Sequence, residues 1–230
     1  MTNNPRKVAV VLSGCGVFDG SEIHEATLTL LALDLHGARA VIAAPDIAQA
    51  RVVNHRTQAE VSAEKRNVLV ESARIARGDI RPIRDLRVSD LDAAILPGGY
   101  GAALNLSSFA RAGADLTVEQ TLSTFLHEMW SARKPLAALC IAPPILAKVL
   151  KDAGVKGARL TIGSDPGVAA AITALGQTHV ECAADSCVVD ETNRVVTSPA
   201  YMLAGGIAEL WRGVEATVQA LLGLVRGERC

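Results

Sequence analysis

At 230 residues, with 50% hydrophobic and 20% charged side chains, the chain is long enough to bury a substantial core and too apolar to be disordered. Its 23 Lys and Arg balance 24 Asp and Glu, so the basic footprint of a nucleic-acid partner is missing. No run reaches the roughly 18 apolar residues of a membrane span, and the start, Met1-Thr2-Asn3-Asn4-Pro5-Arg6-Lys7, lacks the apolar stretch of a signal peptide.

Lys7 to Ser13 reads as a buried first strand, turned outward by Gly14-Cys15-Gly16. Glu22 to His36 has helical spacing, with Ile23, Ala26, Leu30, Leu31 and Leu35 as the expected apolar stripe and Gly37 as the stop. Ala40 to Ala44 is the second strand. Pro45 to about Glu60 is polar and irregular, a long connection of the kind used as a lid or insertion. Ser62 to Arg77 is expected to be helical. Asp92 to Leu96 is the third strand, followed by Pro97-Gly98-Gly99-Tyr100-Gly101, whose spacing and position do not fit a dinucleotide loop. Thr117 to Trp130 is amphipathic and leads into the apolar run Leu136 to Leu139.

Cys140 follows that run, and two residues later Pro143 and Pro144 open a helix at positions where a missing N–H costs nothing. Beyond it, Arg159 to Ile162 is a further strand, and Asp165-Pro166 is an N-cap and first-turn pair for a helix reaching Leu175. His179 to Ala183 and Cys187 to Asp190 are β-rich. Cys187 to Asp190 and Arg194 to Ser198 flank a hairpin turn at Glu191-Thr192-Asn193. A long helix from about Tyr201 to Arg226 closes the chain, packed through Val214, Val218, Leu221 and Val225. Strands alternating with helices argue for a three-layer, doubly wound α/β sheet, residues 1–230 forming a single domain.

Such sheets bind ligands at the carboxyl ends of their strands. Three features fall there: the turn at Cys15, the glycine turn at Gly98 and the Cys140 elbow. A thiol at a helix N-terminus meets free N–H donors and a favourable dipole, which lower its pKa and leave donors for a developing oxyanion. A buried structural cysteine is the competing reading. Glu22 and Glu25, at the start of the first helix, complement its dipole, and one of them could reach the thiol. The five cysteines (15, 140, 182, 187 and 230) are odd in number and widely spread. They read as reduced thiols in a cytoplasm, and no Cys/His spacing suggests a metal site; no cofactor is expected.

Gly20-x-Glu22-x-x-Glu25, Leu96-Pro97-Gly98-Gly99-x-Gly101 and Ala138-Leu139-Cys140-x-Ala142-Pro143 together resemble the ThiJ/PfpI superfamily, whose fold is the flavodoxin-like one of class I glutamine amidotransferase domains, with a nucleophile elbow. Leu12-Ser13-Gly14-Cys15-Gly16, Gly101-Ala102-Ala103-x-Asn105-Leu106 and Pro199-Ala200-Tyr201-Met202-Leu203 are similar to the subgroup called ElbB, the isoprenoid-biosynthesis-associated glyoxalase-like proteins. The resemblance spans about Lys7 to Val225. It implies that Cys140 is the reactive thiol, that Glu25 is a protonated carboxyl bonded to it, and that the N–H groups of Gly99 and Ile141 form an oxyanion hole. The activity implied is that of a glyoxalase III-type lyase: glutathione-independent conversion of glyoxal, or a similar small dicarbonyl, to a hydroxy acid through a Cys140 hemithioacetal. It also implies a homodimer.

The sequence departs from the superfamily where many members place a histidine after the cysteine: Thr161-Ile162-Gly163-Ser164-Asp165-Pro166 has none. His179-Val180-Glu181 has the spacing of an amidotransferase pair but lies in a β-rich run. His24 and Tyr201 are candidates for the pocket rim, with Cys15 and Glu22. The rival class is a redox sensor, in which Cys140 is oxidised rather than turned over. Repair of glycated proteins and glutamine hydrolysis are lesser alternatives.

Overall fold

A computed structural model describes residues 5–227; Met1 to Asn4 and Cys230 lie outside the described residues. In chain order the elements are β1 (Lys7–Val11), α1 (Ile23–Leu35), β2 (Arg39–Ala44), β3 (Val53–Asn54), β4 (Ala59–Glu60), α2 (Val68–Ile75), β5 (Arg81–Pro82), β6 (Ala93–Leu96), α3 (Tyr100–Leu104), α4 (Phe109–Ala112), α5 (Gln120–Ser131), β7 (Leu136–Leu139), α6 (Pro143–Asp152), β8 (Arg159–Leu160), α7 (Pro166–Ala174), β9 (Thr178–His179), β10 (Val188–Asp190), β11 (Val195–Ser198) and α8 (Ile207–Arg226). The seven-stranded sheet runs β10-β11-β7-β6-β1-β2-β5. Every pairing in it is parallel except β10 with β11, the hairpin read from sequence.

The period-2 alternation of strand side chains divides the core in two. Ala9, Val11, Ala94, Leu96, Leu136 and Ala138 join Leu122, Leu126, Ile145 and Ile172 of α5, α6 and α7 on one face. Val8, Val10, Ala93, Ile95, Ala137 and Leu139 join Ala26, Leu33, Val68, Val214 and Val218 of α1, α2 and α8 on the other. The fold is thus the expected α/β type, with a mixed central sheet between two helical layers.

Several elements differ from the sequence reading. Helix α1 buries Glu25, Ala26, Thr29, Ala32 and Leu33, while Ile23, Leu31 and Leu35 are exposed. Small residues face inward because α1 lies against α8, and because Glu25 must point at the sheet edge. Helix α2 starts only at Val68, where Asn67 caps it by accepting from the Val70 N–H; residues 62–67 are not helical. Helix α8 begins at Ile207, after a separate 3-10 turn at Ala200–Met202. Strand β5, with Pro82, occupies the sheet edge, where a missing N–H is tolerated. Of the run His179 to Ala183 only His179 is in a strand, and β8 with β9 forms a separate parallel ribbon. The irregular Pro45 to Glu60 connection contains the β3–β4 hairpin and docks on the β1 exit, where Asp19 Oδ2 accepts from the Val53 N–H at 2.7 Å.

Candidate active site

Cys140 leaves β7 with φ +59°, a left-handed conformation that costs a non-glycine residue about 1–3 kcal/mol and is kept where surrounding contacts enforce it. Its N–H donates to the Ser198 carbonyl of the neighbouring strand, and Pro143 then starts α6. The residue is 8% exposed. The N–H groups of Gly99 and Ile141 donate to its sulfur.

Glu25 is wholly buried and comes to the sulfur from α1. Its Oε2 accepts from the Gly98 N–H at 2.8 Å, its Oε1 accepts from the Tyr201 N–H at 3.2 Å, and its carboxyl shares a hydrogen bond with the Cys140 thiol. Gly98 fits between them only because it lacks a side chain. A Cβ there would stand 2.4 Å from Cys140 Cβ and 2.8 Å from Glu25 Oε2. Glu22 lies one step outside: its Oε2 caps α1 by accepting from the Glu25 N–H at 2.7 Å. It is the N-cap residue rather than a member of the first turn.

Burial, and then the Glu22 carboxylate, push the Glu25 pKa up to about 7 against the pull of the Tyr201 and Gly98 N–H groups. Burial, followed by Glu25, pushes the Cys140 thiol well above its usual range, while the N–H groups of Gly99 and Ile141 draw it down. Two adjacent acids in a dry site do not both ionise readily, so above about pH 7 the pair holds a single proton. This corrects the expectation of a thiol kept ionised by the helix N-terminus. Desolvation outweighs the donors, and the sulfur ionises only as Glu25 takes the proton.

The rim residues read from sequence assemble as well. His24 Nδ1 lies 2.9 Å from Tyr201 Oη and 4.0 Å from Glu22 Oε1. Cys15 does not join them. The charges that bear on its thiol are Glu71, Arg74, Asp19 and Arg66, none of which belongs to the Cys140 site, and burial raises its pKa. His179 sits in the side ribbon, paired with Leu160. Among the described residues no group of His, Cys, Asp and Glu could hold a metal ion, and no helix is long and apolar enough to cross a membrane.

Two contributors escaped sequence reasoning. The Tyr201 backbone N–H is aimed by Ala200, whose φ of +46° leaves no compositional trace. Asn105 donates from Nδ2 to the Ser13 and Asp19 carbonyls at 2.8 and 2.9 Å and accepts from the Ala50 N–H at 2.8 Å, fastening three loops. Its place in the run after Gly101 was the available signal.

The DJ-1/PfpI family model matches residues 7–204. The chain belongs to this family. It is 43% identical over 227 residues to the mitochondrial ES1 protein homolog of Rattus norvegicus, covering 95% of this chain and 84% of that protein. It is 43% identical over 227 residues to the mitochondrial glutamine amidotransferase-like class 1 domain-containing protein 3 of Homo sapiens, covering 95% and 83%. Among solved structures it is similar to an isoprenoid biosynthesis protein with amidotransferase-like domain from Ehrlichia chaffeensis, with TM-score 0.88, 36% identity, and coverage of 95% of this chain and 99% of that one. The same fold, at 16% identity and TM-score 0.60 with 98% of each chain covered, is found in glyoxalase III from Candida albicans. The two mammalian relatives are mitochondrial proteins, which overturns the cytoplasmic expectation. Unpaired thiols point to a reducing compartment without saying which one.

Proposed function

We propose that the chain is an ElbB-type, glutathione-independent glyoxalase that converts glyoxal, or a similar small dicarbonyl, to the hydroxy acid. The observation that carries this reading is the buried Glu25 carboxyl bonded to the Cys140 thiol, with the Gly99 and Ile141 N–H groups donating to the same sulfur. As the thiol adds to an aldehyde carbon, Glu25 takes its proton and the S–C bond forms. The two N–H groups then serve the adduct oxygen. The proton on the sulfur-bearing carbon leaves and returns to the neighbouring carbon, giving a hydroxyacyl thioester. Water breaks the C–S bond to release glycolate. One carbon is oxidised as the other is reduced, so the redox balance is internal to the dicarbonyl. Near-complete burial of Cys140 favours a two- or three-carbon reactant.

The same reading takes the chain as a homodimer. The test is direct detection of glycolate from glyoxal by wild type, Cys140→Ser and Glu25→Gln. Product from wild type alone is expected. An inactive wild type whose Cys140 is readily oxidised by peroxide would favour the sensor, and product from Cys140→Ser would end the proposal.

A further inference from the structure

The acid and one of the N–H groups on the sulfur are held by the same end of α1. Gly98 and Gly99 stand side by side, and with no side chain on either the peptide between them can rotate at little cost. In a trans peptide the carbonyl oxygen and the following N–H point to opposite sides of the C–N bond. The Gly98 carbonyl accepts from the Glu22 N–H at 3.0 Å, so the Gly99 N–H is turned the other way, onto the Cys140 sulfur. Gly99 takes φ +94° and ψ 154° there, a region open to glycine alone. A Cβ on Gly99 would stand 2.2 Å from the Glu22 nitrogen. The next two N–H groups of the turn are fastened to the same loop: Tyr100 donates to the Val17 carbonyl at 2.8 Å and Gly101 to the Gly20 carbonyl at 2.9 Å. Glu22 thus grips the Gly98 carbonyl while Glu25 accepts from the Gly98 N–H at 2.8 Å.

We propose that Glu22 is a positioning residue of the oxyanion hole and acts through its backbone, its N–H holding the Gly98–Gly99 peptide with the Gly99 N–H facing the thiol. The catalytic consequence rests on the glyoxalase reading above. As the adduct oxygen gains charge, the Gly99 N–H is already in place, and no backbone rearrangement is needed to meet it. The Glu22 carboxylate has a separate task, the cap of α1.

Two substitutions separate these tasks. Glu22→Ala removes the carboxylate and its cap and keeps the N–H. Glu22→Pro removes all three and places a ring carbon where the N–H met the Gly98 oxygen; the φ of −65° at Glu22 already suits proline. Both variants are compared for glycolate formation from glyoxal and for Cys140 alkylation by iodoacetamide against pH. Relative to Glu22→Ala, Glu22→Pro is expected to lose about 100-fold or more in kcat with KM unchanged, the effect of one oxyanion donor. Its alkylation profile should move to higher pH, because a sulfur without the Gly99 N–H holds its proton more firmly. In the wild type the Glu22 amide should exchange slowly with deuterium, a reading that does not depend on the proline variant folding. Equal kcat and equal profiles in the two variants, or a Glu22 amide that exchanges as fast as those of exposed loops, overturns the role of Glu22. A wild type that forms no glycolate, with the two alkylation profiles still separated, overturns the glyoxalase reading and leaves the positioning role standing.

Discussion

Two cysteines leave strands of one sheet at the same edge, with β6 between them, and the structure treats them differently. At Cys15 the flanking Gly14 and Gly16 take the unusual backbone, at φ +113° and +129°. At Cys140 the cysteine itself takes it, at φ +59°. The strained residue is the one whose side chain is fixed: Cys140 meets a carboxyl from α1, one N–H from the glycine turn after β6 and one from its own elbow, whereas Cys15 lies in the field of Glu71 and Arg74 of α2 and of Asp19 and Arg66. Burial raises both thiols, so burial does not distinguish them. What distinguishes them is whether the neighbours can relay a proton and hold an oxyanion.

The largest effect that sharpens this contrast is expected from Gly98→Ala. A Cβ 2.4 Å from Cys140 Cβ displaces the thiol from Glu25, and a misplacement of about 1 Å costs around 100-fold in rate. Glycolate formation should fall at least that far, while iodoacetamide labels Cys15 at the wild-type rate.

In the proposed mechanism Glu25 takes the thiol proton, so Glu25→Gln should lower glycolate formation about 100-fold or more. It also changes the pH dependence of stability. A carboxyl whose folded pKa is raised to about 7 carries no penalty below its unfolded value and loses stability as pH rises through about 7. Between pH 5 and pH 8 the wild type should therefore lose about 2–3 kcal/mol relative to Glu25→Gln in urea unfolding. Parallel curves would contradict the raised pKa.

Asn105→Ala leaves the buried Ser13 and Asp19 carbonyls without their partner, at about 1–3 kcal/mol for each, and frees the Ala50 N–H, which water can reach. It should lower the melting temperature and speed Cys15 alkylation more than that of Cys140. The smallest effect is expected from Cys15→Ser, which should keep glyoxalase turnover within about two-fold; a large loss would bring Cys15 back into the mechanism.

The elbow was legible in sequence because its causes are local: an all-apolar strand, a cysteine, and two prolines at a helix start. The residues offered Glu22 or Glu25 as the acid near the thiol, and only the resemblance chose Glu25, since the apolar pattern of α1 pointed to Ile23, Leu31 and Leu35 as the buried face. The phase of that helix is set by what it touches, and Ala26, Thr29 and Ala32 let it lie close to α8. The Tyr201 N–H was hidden because the positive φ at Ala200 is not signalled by a glycine or an asparagine there. The direction of the Cys140 pKa was misjudged because sequence reveals the helix N-terminus beside a thiol and conceals how dry the site is. The cytoplasmic expectation failed because cysteine usage reports redox state rather than address.

The shared proton of Cys140 and Glu25 is tested most directly by the rate of Cys140 alkylation against pH, followed by mass spectrometry in wild type and Glu25→Gln. Glu25 with a pKa of about 7 predicts a rise in the wild-type rate through that pH, absent from the variant. The same profile in both proteins, rising only in the range of an ordinary thiol, would contradict it.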